Sequence, residues 1–258
     1  FFKQKTAYEI KECDWSSDVC SSDLPELSYI REQGGNIHIG ATTTHYAVES
    51  SSVIRAKCPL LAETASFIGD VQVRNLGTMG GSVAHADPSA DYPAALQALE
   101  AKIVLKGASS ERTLSADEFF IDTFTTALEP GEIVAEVIVP IEATNTGTNY
   151  QKLLQPASGF AIVGIAARIQ KSGGKITLAR IGVTGLSNRA FRATATEAAL
   201  TSGATAQAAA AVIATGIDAN SDLYASAEFR AHLATVYAAR AIDAAIRRSE
   251  EHTSELQS

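Results

Sequence analysis

The residues best suited to chemistry lie together in Arg74-Asn75-Leu76-Gly77-Thr78-Met79-Gly80-Gly81-Ser82-Val83-Ala84-His85-Ala86-Asp87-Pro88-Ser89-Ala90-Asp91. Gly77, Gly80 and Gly81 fall within five residues, around Thr78 and Met79. Lacking Cβ atoms, they let a ligand approach the backbone and permit positive φ. Successive amides in such a turn converge on an anion. Thr78 and Ser82 add hydroxyl donors at the same rim, and Asp87 and Asp91 supply carboxylates able to accept from sugar or ribityl hydroxyls. Donors beside a carboxylate suit a ligand with both phosphate and polyol, as a dinucleotide has. On spacing alone the stretch reads first as a glycine-rich tight turn with two solvated aspartates. It is not a P-loop, because no Lys follows Gly80 or Gly81. Nor does it match Gly-x-Gly-x-x-Gly, and no clear strand leads into it. Ser82, His85 and Asp87 are neighbours in sequence, but a hydrolytic triad is defined by geometry that adjacency does not supply. His85 alone reads as a packing or hydrogen-bonding residue.

Short strands and helices are expected to hold this segment. Leu27–Arg31 and Asn36–Gly40 flank Gly34-Gly35 and predict a hairpin. Pro59 to Phe67 has helical spacing, a Pro suited to the first turn and Gly69 as a stop. Asp91 to Leu99 predicts a short helix, Lys102–Leu105 a strand, and Ser115-Ala116-Asp117-Glu118 a capping box. Ile133 to Val139 is β-prone. The polar run Thr144–Thr148 reads as a boundary. Beyond it, 160–169 and 176–185 surround Ser172-Gly173-Gly174 as a second hairpin. Ala-rich helices follow at about 190–201, 206–215 and 226–246. The last has Phe229, Leu233, Val236, Tyr237, Ala241 and Ala244 on one face. The fold class is α+β in two units.

Both ends are expected to be foreign. Back-translated, Arg248–Ser258 spells a common sequencing-library adapter, and the reverse complement of that string yields Asp14 to Asp23. Residues 1–24 and 248–258 are therefore set aside as adapter-derived, against the alternative of a polar arm with a Cys13/Cys20 pair. The chain has 21 Lys+Arg and 29 Asp+Glu, a net charge of −8. Without the four basic and eight acidic residues of the ends the balance is −4, which predicts no general affinity for nucleic acid or anionic membranes. Cys58 is then the one cysteine left, too few for a disulfide framework or a cysteine-ligated cluster. No apolar run approaches the roughly 18 residues of a transmembrane span. Met79 is the only methionine, so Pro25 is expected to lie inside a longer native protein.

Gly77-Thr-Met-Gly-Gly-Ser-Val-Ala-His-Ala-Asp-Pro-Ser-Ala-Asp91 resembles the second flavin-binding loop of the medium subunits of carbon monoxide dehydrogenase, xanthine dehydrogenase and related molybdenum hydroxylases. The likeness extends to Ile39–His45, Ile68–Asn75, Phe124–Ile133 and Gly159–Ala166, and covers essentially all of 25–247. It implies a partial vanillyl-alcohol-oxidase-type FAD-binding domain (25–143) and a small α+β flavoprotein C-terminal domain (149–247). Gly77, Thr78, Met79, Gly80, Gly81, Ser82 and His85 would belong to the FAD loop, with Gly80, Gly81, Thr78 and Ser82 on the phosphates. Asp91 would hold a flavin side-chain hydroxyl, and Leu128 and Lys152 match positions near the flavin. No catalytic acid or base and no metal ligand is expected.

The same resemblance implies a cytoplasmic electron-transfer subunit. A molybdopterin-binding large subunit would oxidise substrate, an iron–sulfur small subunit would relay electrons, and FAD here would pass them to an external acceptor. The alternatives are a self-contained FAD oxidoreductase of this fold and a non-catalytic nucleotide-binding module. The family's earlier loop, Ala-Gly-Gly-Gln/Thr-Ser, has no match in 25–70. It is expected to precede Pro25, and weak FAD binding is expected without it.

Overall fold

The computed structural model describes residues 24–255, with side chains to 250; the expected adapter stretch at 1–23 and residues 256–258 lie outside the described residues. Two antiparallel sheets organise the chain, each with its own apolar core. The first begins with β1 (Ile30–Gln33) and β2 (Asn36–Gly40), joined as expected at Gly34 and Gly35, whose φ values are 58° and 77°. It continues through β3 (Lys102–Lys106), β4 (Glu111–Ser115) and β7 (Ile133–Pro140), in the order β1-β2-β7-β3-β4. A small ribbon, β5 (Phe120–Asp122) with β6 (Thr125–Thr126), lies between β4 and β7 in the chain.

Helices α1 (His45–Ser50), α2 (Ser52–Lys57) and α3 (Pro59–Ser66) follow β2. Thr44 caps α1 through Ala47 N and Ser51 caps α2 through Ile54 N. Then come α4 (Val71–Leu76), capped by Asp70, and α5 (Met79–His85), capped by Thr78. Next is α6 (Asp91–Ala98), buried along its whole length. The capping box at Ser115 is present and opens a single turn, α7 (Ala116–Phe119).

The second sheet is built from β8 (Thr146–Leu154), β9 (Ala161–Ser172), β10 (Lys175–Thr184) and β11 (Phe191–Arg192), in the order β11-β10-β9-β8. Its core closes against α8 (Thr194–Thr201), α9 (Ala206–Ala210) and α10 (Ala227–Glu255). Three segments differ from expectation, the first being the helix read over about 206–215, which ends at Ala210. Thr146–Thr148, read as part of a polar boundary, opens β8 and is buried. The reason is backbone packing: a Cβ on Gly147 would stand 1.9 Å from Ala245 O of α10. No apolar side chain is needed there, so none marked it. Phe191-Arg192, expected to be helical, instead pairs with β10. At the other end, α10 runs unbroken past 247, and Arg248 donates to both Glu63 carboxylate oxygens and to Thr148 O.

Candidate functional site

The glycine-bearing segment docks along the connection from β2 to α1. His45 N donates to Gly77 O at 2.9 Å, Met79 N to Thr43 O at 2.9 Å and Gly80 N to Ala41 O at 2.8 Å. Thr78 then starts α5, its hydroxyl accepting from Gly81 N at 3.2 Å. The expected turn with left-handed glycines is therefore a helix start. None of Gly77, Gly80 and Gly81 has positive φ. An anion nest is also not formed, because the Gly80 and Gly81 amides are already engaged by Ala41 and Thr78.

Each glycine has a separate steric reason. A Cβ on Gly80 would lie 2.4 Å from Ala41 Cβ, inside the fold. On Gly77 it would lie 2.6 Å from His45 Nε2. On Gly81 it would meet only the Thr78 hydroxyl, at 2.9 Å, because that residue faces outward.

The outward side is a cleft of about 460 Å³. Six of the ten sequence-selected residues line it: Gly77, Thr78, Gly81, Ser82, His85 and Asp91. Met79 and Gly80 do not; both are buried in the layer beneath. Leu128 and Lys152 also stand off the lining. Leu128 packs half-buried against the first core. The opposite wall comes from Ile68, Gly69, Val73 and Leu76 at α4 and its approach, and from Ser158–Phe160 in the β8–β9 loop. His85 leans on Phe124, ring centroids 5.0 Å apart. Most of the lining is apolar, with polar groups at the Thr78–Ser82 edge and at Asp91.

Asp91 opens α6 and is 4% exposed. Tyr150 Oη donates to its Oδ1 at 2.5 Å and Lys152 Nζ to its Oδ2 at 2.9 Å. Lys152 Nζ also donates to Phe67 O at 2.8 Å and Gly159 O at 2.7 Å. All three ammonium protons thus have acceptors within the protein. Burial raises the Asp91 carboxyl to about 6, opposed by the Lys152 cation and the Tyr150 hydrogen bond. A carboxylate has about four acceptor sites, so Asp91 can take a further donor from the cleft. Asp87 is less free: its Oδ1 accepts from Ser89 N at 2.8 Å.

Residues that motif reading passed over complete the site. His45 and Phe160 line it, and the carbonyls of Phe67 and Gly159 tie its walls to Lys152. All four lay in or beside segments already noted for their likeness, but only long-range contacts reveal their part. The whole fits a dinucleotide. Bare backbone at Gly81 and hydroxyls at Thr78 and Ser82 form one edge, the walls are largely apolar as a planar ring requires, and the buried Asp91 carboxylate offers an acceptor for a polyol.

Comparison with known proteins agrees. Residues 9–142 match a family model described as the FAD binding domain in molybdopterin dehydrogenase, and residues 148–245 one described as the CO dehydrogenase flavoprotein C-terminal domain. The carbon monoxide dehydrogenase medium chain of Hydrogenophaga pseudoflava is 40% identical over 227 residues, covering 86% of this chain and 79% of that one. The glyceraldehyde dehydrogenase medium chain of Sulfolobus acidocaldarius is 36% identical over 170 residues, 66% of this chain and 60% of the relative. A solved carbon monoxide dehydrogenase from H. pseudoflava, lacking the Mo-pyranopterin moiety of its cofactor, superposes with a TM-score of 0.84 at 42% identity over 87% of this chain and 79% of that one. The chain belongs to the family of FAD-binding medium subunits of the molybdenum hydroxylases.

Proposed function

We propose that FAD binds in the cleft between α4, α5 and the β8–β9 loop, its diphosphate against Gly81, Thr78 and Ser82 and its ribityl chain over Asp91. The observation that carries this is Gly81. It is the one glycine of the three whose missing side chain opens into the cleft rather than into protein packing. Bound there, FAD supplies one- and two-electron redox chemistry. The protein's residues bind, orient and shield it. Thr78 and Ser82 donate hydroxyl hydrogen bonds, Asp91 accepts one, and Val73, Leu76 and Phe160 exclude water from the ring. Lys152 holds Asp91 and both walls in place rather than touching the cofactor.

The subunit serves an oxidoreductase, and we assign it the electron-transfer role. A molybdopterin-binding large subunit and an iron–sulfur small subunit deliver electrons, and an external acceptor removes them. Medium chains related to it serve carbon monoxide and glyceraldehyde dehydrogenases, so substrate choice belongs to the large subunit. No helix among the described residues is long and apolar enough to cross a membrane. The buried free thiol of Cys58 suits the reducing cytoplasm, where we place the protein.

Titrating the chain with FAD tests the site. Saturable quenching of flavin fluorescence is expected, at the weak affinity that goes with the missing earlier loop, and it should be lost in Gly81→Val, whose thermal melt should remain close to that of the parent. Equal FAD binding by parent and variant would refute this placement.

A further inference from the structure

Among the described residues that line the cleft, His45 is a nearly fully buried polar side chain whose ring nitrogens have no hydrogen-bond partner. The residue is 4% exposed, yet no described residue makes a hydrogen bond to either ring nitrogen, and Nδ1 is fully buried. Its ring edge meets Tyr92, centroids 5.3 Å apart. The enclosed orphan is Nδ1; Nε2, beside the cleft-lining Gly77, is not fully buried and has no protein acceptor, so it is the nitrogen that a ligand in the cleft can meet. Gly77 fits the same reading, since any side chain there would strike Nε2 at 2.6 Å. Glycine lets the imidazole edge pack directly on the backbone of residue 77, next to Thr78.

The ring is neutral at working pH. Burial first, and the Arg74 cation second, lower its pKa to about 4. A neutral imidazole carries one N–H. A donor enclosed without an acceptor is the costlier orphan, which assigns the proton to Nε2 and leaves Nδ1 as a bare lone pair. The N–H is then aimed along the Gly77–Thr78 edge.

We infer that His45 is an uncharged hydrogen-bond donor to a phosphate oxygen of the bound dinucleotide. This rests on the placement of FAD in the cleft. It assigns a function to the Thr42-Thr43-Thr44-His45 segment, whose Thr44 otherwise serves as a helix cap.

The test compares FAD, ADP and riboflavin on the full chain, by calorimetry and flavin fluorescence. His45→Phe keeps a ring against Tyr92 but removes the donor. It should lose about tenfold in affinity for FAD and ADP and leave riboflavin affinity unchanged. His45→Gln, which restores a side-chain N–H, should recover most of the loss. In the unsubstituted chain, ADP should shift the His45 Nε2–H resonance, a readout that does not depend on any variant folding. Unchanged FAD affinity in His45→Phe while Gly81→Val abolishes binding would overturn the His45 role and leave the cleft assignment intact. Equal loss for all three ligands, or a resonance unmoved by ADP, would reduce His45 to packing. Failure of Gly81→Val to affect FAD would remove the underlying placement, and this inference with it.

Discussion

At Asp91, burial and hydrogen bonding pull the carboxyl in opposite directions. Its folded-state value is about 6, against 3.8 for the free group. Between roughly pH 4 and 6 the native state therefore holds a proton that the unfolded chain has released. The stabilisation from this group is full below about 4 and is lost as pH rises through about 6. Asp91→Asn cannot titrate. Urea unfolding of both proteins across this range should show the stability of the parent relative to the variant falling by up to about 3 kcal/mol from pH 4 to 6, then levelling. A relative stability that climbs with pH would mean the Lys152 ammonium governs the native carboxylate instead. Residue types alone made much of this site visible: glycines, hydroxyls and an aspartate in one stretch. They could not separate Gly80, enclosed by Ala41, from Gly81, open to the cleft. That difference depends on which face of α5 meets β2.

Elements were legible where local chemistry decides them. Gly34-Gly35 and Gly173-Gly174 take the positive φ that tight hairpins need, and Pro59 begins α3. They were hidden where contact with distant backbone decides. Thr78–His85 is helical because Thr78 caps it, although glycines alone disfavour a helix. Thr146–Thr148 is a strand because α10 rests on its backbone. The same close approach recurs where α6 crosses β10. A Cβ on Gly182 would sit 1.9 Å from Ala94 O and 2.8 Å from Ala94 C. No rotamer change relieves a clash with main chain, so the helix that presents Asp91 must move. Gly182→Ala should cost about 3 kcal/mol or more and weaken FAD binding as well. Gly34→Ala is the control: its surroundings are open and only its φ of 58° is strained, so about 1 kcal/mol is expected. Similar midpoints for the two variants in urea would show that α6 is not held so tightly.

Across the whole molecule the two sheets share α6, which packs on β9 and β10 while its residues join the first core. Tyr150 and Ala166 of the second sheet enter that core too. Two units in order were readable from the run of motifs; their joint was not, because it depends on partners 61 to 85 positions apart. Lys152 on β8 is that joint, reaching Asp91 and Phe67 O from the first unit and Gly159 O from the β8–β9 loop. Removing one member of a buried ion pair strands the other, at about 3–5 kcal/mol, whereas replacing both leaves no stranded charge. Lys152→Met at pH 7 should therefore destabilise strongly. Adding Asp91→Asn should recover part of that loss, giving a coupling above about 1 kcal/mol in the double-mutant cycle. The cleft should respond on a different scale. With the Phe67 and Gly159 carbonyls released, FAD affinity should remain low in the double variant even where stability returns, because its walls have lost their common anchor. Strictly additive stabilities would show the ion pair to be incidental, and normal FAD affinity in the double variant would show that the walls hold their positions without Lys152.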